Sequence, residues 1–219
     1  MNRFKAVIFD LDGTLIDSKE DLGLATNRVL CGRGYAAWPV EQYGIFMGHG
    51  LRALTEQALP EASRTDEEID RCHALILEDY GRNCMVKTRL YAGIDKVLDH
   101  LAEKGVRMGV LTNKPHAIAC RIVEGLLGAW HFDFVQGGQE GLPLKPEPDG
   151  VHRFCRQVQV EPEETLFVGD SDVDVMTASN AGLCCLGVSW GFRGRRELEE
   201  AGAWRVIDKA EEMIGLFLY

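Results

Sequence analysis

The chain has 219 residues, 46% hydrophobic and 26% charged, which are ordinary proportions for a globular protein that can bury a substantial core. Its formal net charge of −10 argues against binding nucleic acid or an anionic membrane, and no apolar run reaches the ~18 residues of a membrane span. Seven cysteines, odd in number and without a C-x-x-C pair, predict reduced thiols, no zinc centre and a cytoplasmic setting.

Residues 4–9 form a short apolar run, which predicts a strand buried on both faces rather than a signal peptide. The run ends in Asp10-Leu11-Asp12-Gly13-Thr14. Residues two apart share a face of an extended chain, so Asp10 and Asp12 can look into one site while Gly13 lets the backbone turn away. Taken alone, the stretch fits an Asx turn equally well. From about Asp17 to Val86 the pattern is helical. One helix is expected over 21–33 and stops at Gly34, with shorter ones after Pro39 and Gly50. A fourth opens at the capping box Thr65-Asp66-Glu67-Glu68, with Ile69, Cys72, Ile76 and Tyr80 on its apolar face. These residues, 17–86, are expected to be a small all-helical domain inserted after the first strand of a core made of 1–16 and 87–219.

Strand–helix alternation follows. Ile94, Val97, Leu98 and Leu101 mark the inner face of a helix closed by Gly105. A strand over 106–111 runs into Thr112-Asn113, and Pro115 starts a helix to about Leu127. A weaker strand is expected over 132–135 with a turn at Gly137-Gly138, then a helix from Pro148 to about Val158. The strand over 165–168 meets Gly169-Asp170 and a helix from Ser171 to about Ala181. Strands over 184–188 and 205–207 precede a closing helix. This alternation predicts an α/β fold with a doubly wound parallel sheet, a Rossmann-like core.

A parallel sheet delivers the carboxyl ends of its strands to one edge, so Asp10, Asp12, Thr112, Asp170 and Asp174 are expected to meet there. Lys145 would join them from a loop stiffened by Pro146 and Pro148. Asp170 and Asp174 share a helix face, whereas Asp172 fits a plain capping role. Close carboxylate pairs repel by about 4 kcal/mol each at an effective dielectric near 20, so the cluster needs a cation or raised pKa values. Oxygen-only ligands favour magnesium over zinc.

Asp10-Leu11-Asp12-Gly13-Thr14, Leu111-Thr112-Asn113, Lys145-Pro146 and Gly169-Asp170-Ser171-x-x-Asp174 resemble, in order, the four motifs of haloacid dehalogenase-like hydrolases. The likeness spans the chain, with the helical insertion in the place of the family's cap. It implies a magnesium-dependent phosphomonoester hydrolase working through an aspartyl-phosphate. By the same resemblance, Asp10 is the nucleophile and Asp12 the acid/base. Thr112, Asn113 and Lys145 bind the phosphoryl group, and Mg2+ is held by Asp10, the Asp12 carbonyl and Asp170. Asp174 orients Lys145 or a metal-bound water, and the cap acts as a lid.

Within the superfamily the chain looks most similar to phosphoglycolate phosphatases, since Met47-Gly48-His49-Gly50 resembles their substrate-facing cap turn. His49, Gly50 and Arg52 are therefore cap candidates, although a plain interhelical turn accounts equally well for the two glycines. The implied partner is a small phosphorylated metabolite such as 2-phosphoglycolate, with no nucleic acid and no membrane. Related sugar-phosphate mutases carry an arginine in the place of Leu51, and haloacid dehalogenases proper lack the second carboxylate, Asp12. A mutase is the alternative reading, and a non-catalytic phospho-ligand or partner-binding module a more distant one. His116 and the aromatics of Trp190-Gly191-Phe192-Arg193 are expected to be structural, though that last stretch follows a strand towards the site mouth.

Overall fold

The computed structural model describes residues 4–217. In chain order the elements are β1 (Ala6–Phe9), β2 (Ile16–Asp17), α1 (Lys19–Gly32), α2 (Tyr43–Phe46), α3 (Leu51–Ala58), α4 (Asp66–Asn83) and β3 (Arg89–Leu90). They continue with α5 (Ile94–Glu103), β4 (Arg107–Pro115), α6 (His116–Leu126), β5 (Phe134–Gly138), α7 (Asp149–Val158), β6 (Thr165–Gly169), α8 (Asp172–Asn180), β7 (Cys184–Val188), α9 (Arg195–Glu200) and β8 (Arg205–Ile207). Strands β5-β4-β1-β6-β7-β8 form one sheet in that order, every neighbouring pair parallel.

The all-apolar β1 is central and wholly buried because both its faces are covered. Val7 and Phe9 join the cluster that holds Val97 of α5 and Ile122 of α6, while Ala6 and Ile8 join Phe154 of α7 and Val175 of α8. From β1 the chain winds to β4 and β5 on one side, then crosses to β6, β7 and β8 on the other. The reversal opens a crevice at the carboxyl end of β1, the place where sheets of this kind bind ligands.

Helices α1–α4 sit between β2 and β3, which pair antiparallel, Ile16 opposite Leu90 and Asp17 opposite Arg89. Two-residue strands are too short to leave a periodic signal, so the sequence pattern gave no sign of this ribbon. A buried carboxylate reinforces it: Asp21, in the first turn of α1, accepts hydrogen bonds from the amides of Lys87 and Thr88 and from the Thr88 hydroxyl. The outgoing and returning chains are thus tied together where they cross into the helical insertion.

Several boundaries depart from expectation. Helix α1 begins at Lys19 rather than Asp21. Strand β4 runs on to Pro115 with a register shift after Leu111, and it offers Pro115 as a partner to Gly138, so Gly137 and Gly138 extend β5 instead of turning. The closing segment, Ala210–Phe217, is 3-10 helix, whose threefold period buries Ala210 and Met213 on one side. Only half of the capping box on α4 forms: the Glu68 amide donates to Thr65 Oγ1, while the Glu68 carboxylate pairs with Arg33. The cysteines are all free thiols, and no described helix is long and apolar enough to cross a membrane.

Candidate active site

Each motif residue reaches the crevice by its own route. Asp10 follows β1 directly, its amide donating to the Val168 carbonyl, and Asp170 follows β6. The extension of β4 carries Thr112 and Lys114, two apart and so on one side, past the end of β1. Asn113, between them, uses its side chain on the Lys145 loop: Oδ1 accepts from the Lys145 amide at 2.8 Å and Nδ2 donates to the Lys145 carbonyl at 3.0 Å. The same Nδ2 lies 3.1 Å from the Gly48 carbonyl of the helical insertion. The Asn113 side chain is therefore a clasp that holds the lysine loop.

Lys145 is buried between two carboxylates, its Nζ 2.6 Å from Asp174 Oδ1 and 2.9 Å from Asp10 Oδ1. Only the first approach is aligned as a hydrogen bond, so Asp10 Oδ1 is held by the charge of Lys145 rather than by an aligned donor. Asp174 is fully committed, because its Oδ2 accepts from the Ser171 amide at 3.1 Å and the Ser171 hydroxyl at 2.7 Å. Ser171 and Asp174, rather than Asp170 or Asp172, cap α8.

Asp12 is held differently. Its two carboxylate oxygens lie 2.7 and 2.8 Å from Nζ of Lys114, and the Ser18 hydroxyl donates to Oδ1. That bond occupies Ser18, which therefore leaves the start of α1 without a side-chain cap. Lys114 Nζ also donates to the Tyr80 hydroxyl of α4 at 2.6 Å. Lys114 and Tyr80 lie outside the four motifs. The signal for Lys114 was its spacing of two from Thr112 in a strand that continues past Leu111.

One oxygen from each of Asp10, Asp170 and Asp174 lies within 4.8 Å of the others. Burial first, then the charge of Asp174, pushes the Asp170 carboxyl well above the usual range. Burial likewise lifts Asp10 to about 6, against the opposing pull of Lys145. Burial opposes the charge on Lys145 too, but Asp10 and Asp174 outweigh it and hold its pKa above the ordinary value. Four carboxylates (Asp10, Asp12, Asp170, Asp174) face two lysines (Lys114, Lys145), leaving two negative charges over. An excess of two charges and oxygen-only ligands gathered within 4.8 Å together fit a divalent cation.

The sign of the resulting pH effect follows from Asp10. Its folded pKa exceeds the unfolded value, so the folded state binds more protons and stability falls as pH rises through about 4 to 6. Between pH 5 and 7 the metal-free protein should lose about 1 kcal/mol from this group, a Tm drop of roughly 2–4 °C. Magnesium should shrink that drop. A metal-free Tm that rises across this interval would contradict the charge excess.

Glycines make room for the cluster. Gly13 has φ +84°, and a Cβ there would overlap the Asp170 carboxylate, as would one at Gly191. With both absent, the loop after β7 lies against Asp170, and the Phe192 amide donates to Asp170 Oδ2 at 2.6 Å. Phe192 and Arg193 thereby line the cleft. Of the three candidates from the helical insertion, Gly50 lines the cleft, whereas His49 is exposed outside it. Arg52 also points away, paired on the surface with Asp66 and Asp70. His116 accepts from the Gly137 amide, a structural contact.

A parallel sheet whose central strand ends in Asp10-x-Asp12, with lysine and further carboxylates gathered at the same edge, defines a haloacid dehalogenase-type α/β hydrolase. The chain belongs to this family: residues 7–188 match the model of the haloacid dehalogenase-like hydrolases. Within it the chain is phosphoglycolate phosphatase-like, and it is a phosphatase. It is 32% identical over 222 residues to a phosphoglycolate phosphatase of Haemophilus influenzae, covering 97% of each chain. A solved structure from Lactobacillus delbrueckii subsp. bulgaricus is 30% identical with a TM-score of 0.92 over 99% of each chain. CbbY from Rhodobacter sphaeroides, solved with phosphate, is 26% identical with a TM-score of 0.77 over 94% of each chain.

Proposed function

We propose that the protein hydrolyses a small phosphomonoester, 2-phosphoglycolate being the leading substrate, through an aspartyl-phosphate on Asp10. The observation that supports this most is the difference between two carboxylates two residues apart. Asp10 Oδ1 meets the Lys145 ammonium at 2.9 Å without an aligned hydrogen bond, whereas Asp12 is gripped at both oxygens by Lys114. Neighbouring carboxylates with different surroundings suit different tasks.

Asp10 attacks phosphorus and takes the phosphoryl group. Asp12 gives a proton to the leaving alkoxide, then takes one from the water that splits the phospho-enzyme. Thr112 donates its hydroxyl to a phosphoryl oxygen, and Lys145, steered by Asp174, offsets charge on phosphate and nucleophile. Asp10, Asp170 and the Asp12 carbonyl are the residues that would hold Mg2+, which when bound supplies positive charge against the phosphate and the carboxylates. We take the helical segment 17–86 as a lid whose contribution to the cleft is mostly apolar. A mutase is disfavoured because Leu51 is buried and lines the cleft while Arg52 is paired elsewhere.

Phosphate release over a panel of small phosphomonoesters, with magnesium or chelator, tests the reading. We expect 2-phosphoglycolate to give the highest kcat/KM and chelation to stop turnover reversibly. Phosphate appearing on another carbon of a sugar, seen by phosphorus NMR, would replace hydrolase by mutase. Turnover that survives exhaustive chelation would remove the metal.

A further inference from the structure

The cleft is lined by three cations, Lys114, Lys145 and Arg193, and their charges are balanced unequally. Lys145 is matched by Asp10 and Asp174, and Lys114 by both oxygens of Asp12. Arg193 has one carboxylate neighbour, Glu197, 3.4 Å from its Nε and itself 42% exposed. Its Nη2 donates to the carbonyls of Ile45 and Met47 in the helical insertion, each at 3.2 Å, and carbonyls carry no net charge. Nη1 has no partner among the described residues. A guanidinium only 16% exposed is thus held in the cleft with a single, partly exposed carboxylate as its ion-pair partner and one nitrogen left over for a ligand.

Its position matters as much as its charge. The preceding residue, Phe192, is bonded to Asp170 at the carboxylate cluster, while Arg193 itself reaches the rim of the insertion. It therefore spans the space between the phosphoryl end of the site and the lid. The insertion offers that space no charged group: Leu22, Met47, Leu51, Leu54 and Tyr80 are the side chains it presents. Any second anionic group on a substrate has to be met from the core, and Arg193 is the cation not already paired inside the cleft.

We propose that Arg193 selects substrates bearing a second anionic group, a carboxylate within a few bonds of the phosphate ester, by a fork-like contact with that carboxylate. The proposal rests on the phosphomonoesterase reading above. Guanidinium matches carboxylate with two parallel hydrogen bonds, a geometry that ammonium cannot reproduce. Substrate would also exchange contacts with the Ile45 and Met47 carbonyls, so the same arginine would register an occupied cleft at the lid's edge.

The test compares 2-phosphoglycolate with ethyl phosphate, which has the same ester oxygen and chain length but no carboxylate. The wild-type enzyme should prefer 2-phosphoglycolate. In Arg193→Met the ratio of the two kcat/KM values should fall by about 10- to 100-fold, the loss of a charged hydrogen-bonding partner, mainly through KM for 2-phosphoglycolate. Arg193→Lys, which keeps the charge and the side-chain length, should retain part of the preference. An unchanged ratio in both variants, whatever happens to the absolute rates, would overturn the proposal and leave Arg193 a lid contact. A wild-type enzyme with no preference between the esters would overturn it too. Failure to cleave either ester would instead remove the phosphomonoesterase reading beneath it.

Discussion

The Asp10→Asn protein is expected to turn over phosphomonoesters at least about 10⁴-fold more slowly than wild type, because the amide cannot form the acyl phosphate. The fold should survive. Asn has the shape of Asp, and Lys145 retains its aligned bond to Asp174 at 2.6 Å. Stability should hold or improve in the metal-free protein at neutral pH. Burial raises the Asp10 carboxyl to about 6, so keeping it ionised near pH 7 costs roughly 3 kcal/mol, and Asn never ionises. The combined signature is loss of phosphate release, a Tm equal to or above wild type without metal, and a weaker Tm response to magnesium. Near-normal hydrolysis would end the nucleophile assignment. A collapsed Tm would mean that the contact with Lys145 outweighs the burial.

What a linear pattern reveals about this site depends on how each residue gets there. Asp10 and Asp170 end apolar strands, and a carboxylate in that position announces itself because strands disfavour it. Their convergence followed from the parallel sheet, and the need for a counter-charge followed from their number. Lys114 left no such mark. It became a site residue because β4 runs on past the end of β1, whose last residue pairs with Val110, and stays paired with β5 as far as Pro115, a property of the sheet rather than of local sequence. Tyr80 was read as one of the apolar positions of α4, and it is indeed buried. Its hydroxyl, however, meets Lys114 from the far side of the cleft, which helical period alone does not reveal.

Loop residues were harder still. Arg193 sits in a stretch whose aromatics promised packing, and Trp190 and Phe192 do pack against the core. That loop approaches Asp170 only because Gly191 and Gly13 leave room for it, a tertiary condition. Arg52 shows the converse error. Its proximity to the glycine turn made it a candidate, but α3 turns it outwards to Asp66 and Asp70. Sequence distance measures neither side-chain direction nor charge already spent elsewhere.

The division of labour between the aspartates has its sharpest consequence at Asp12. With Asp12→Asn, hydrolysis of an alkyl phosphomonoester should fall about 10²- to 10⁴-fold, the usual range for a removed proton-transfer group. Both halves of the reaction should suffer if, as proposed, the same carboxylate protonates the alkoxide and then deprotonates water. A p-nitrophenyl ester separates the two halves. Its leaving group departs as a stable anion and needs no proton, so formation of the phospho-enzyme should largely recover while its breakdown stays slow. Rapid mixing should then show a burst of nitrophenolate, near one equivalent per site, followed by a slow steady state. Equal impairment of alkyl and nitrophenyl esters, with no burst, would show that Asp12 acts only as a fixed charge. The surroundings fix the carboxylate in place. Lys114 and Ser18 approach the carboxylate together, and the Tyr80 hydroxyl on the lid side steadies the Lys114 Nζ. That aim is what an acid/base needs, since it must stand within hydrogen-bond reach of the proton it moves, and the burst experiment decides between this role and a fixed counter-charge to Lys114.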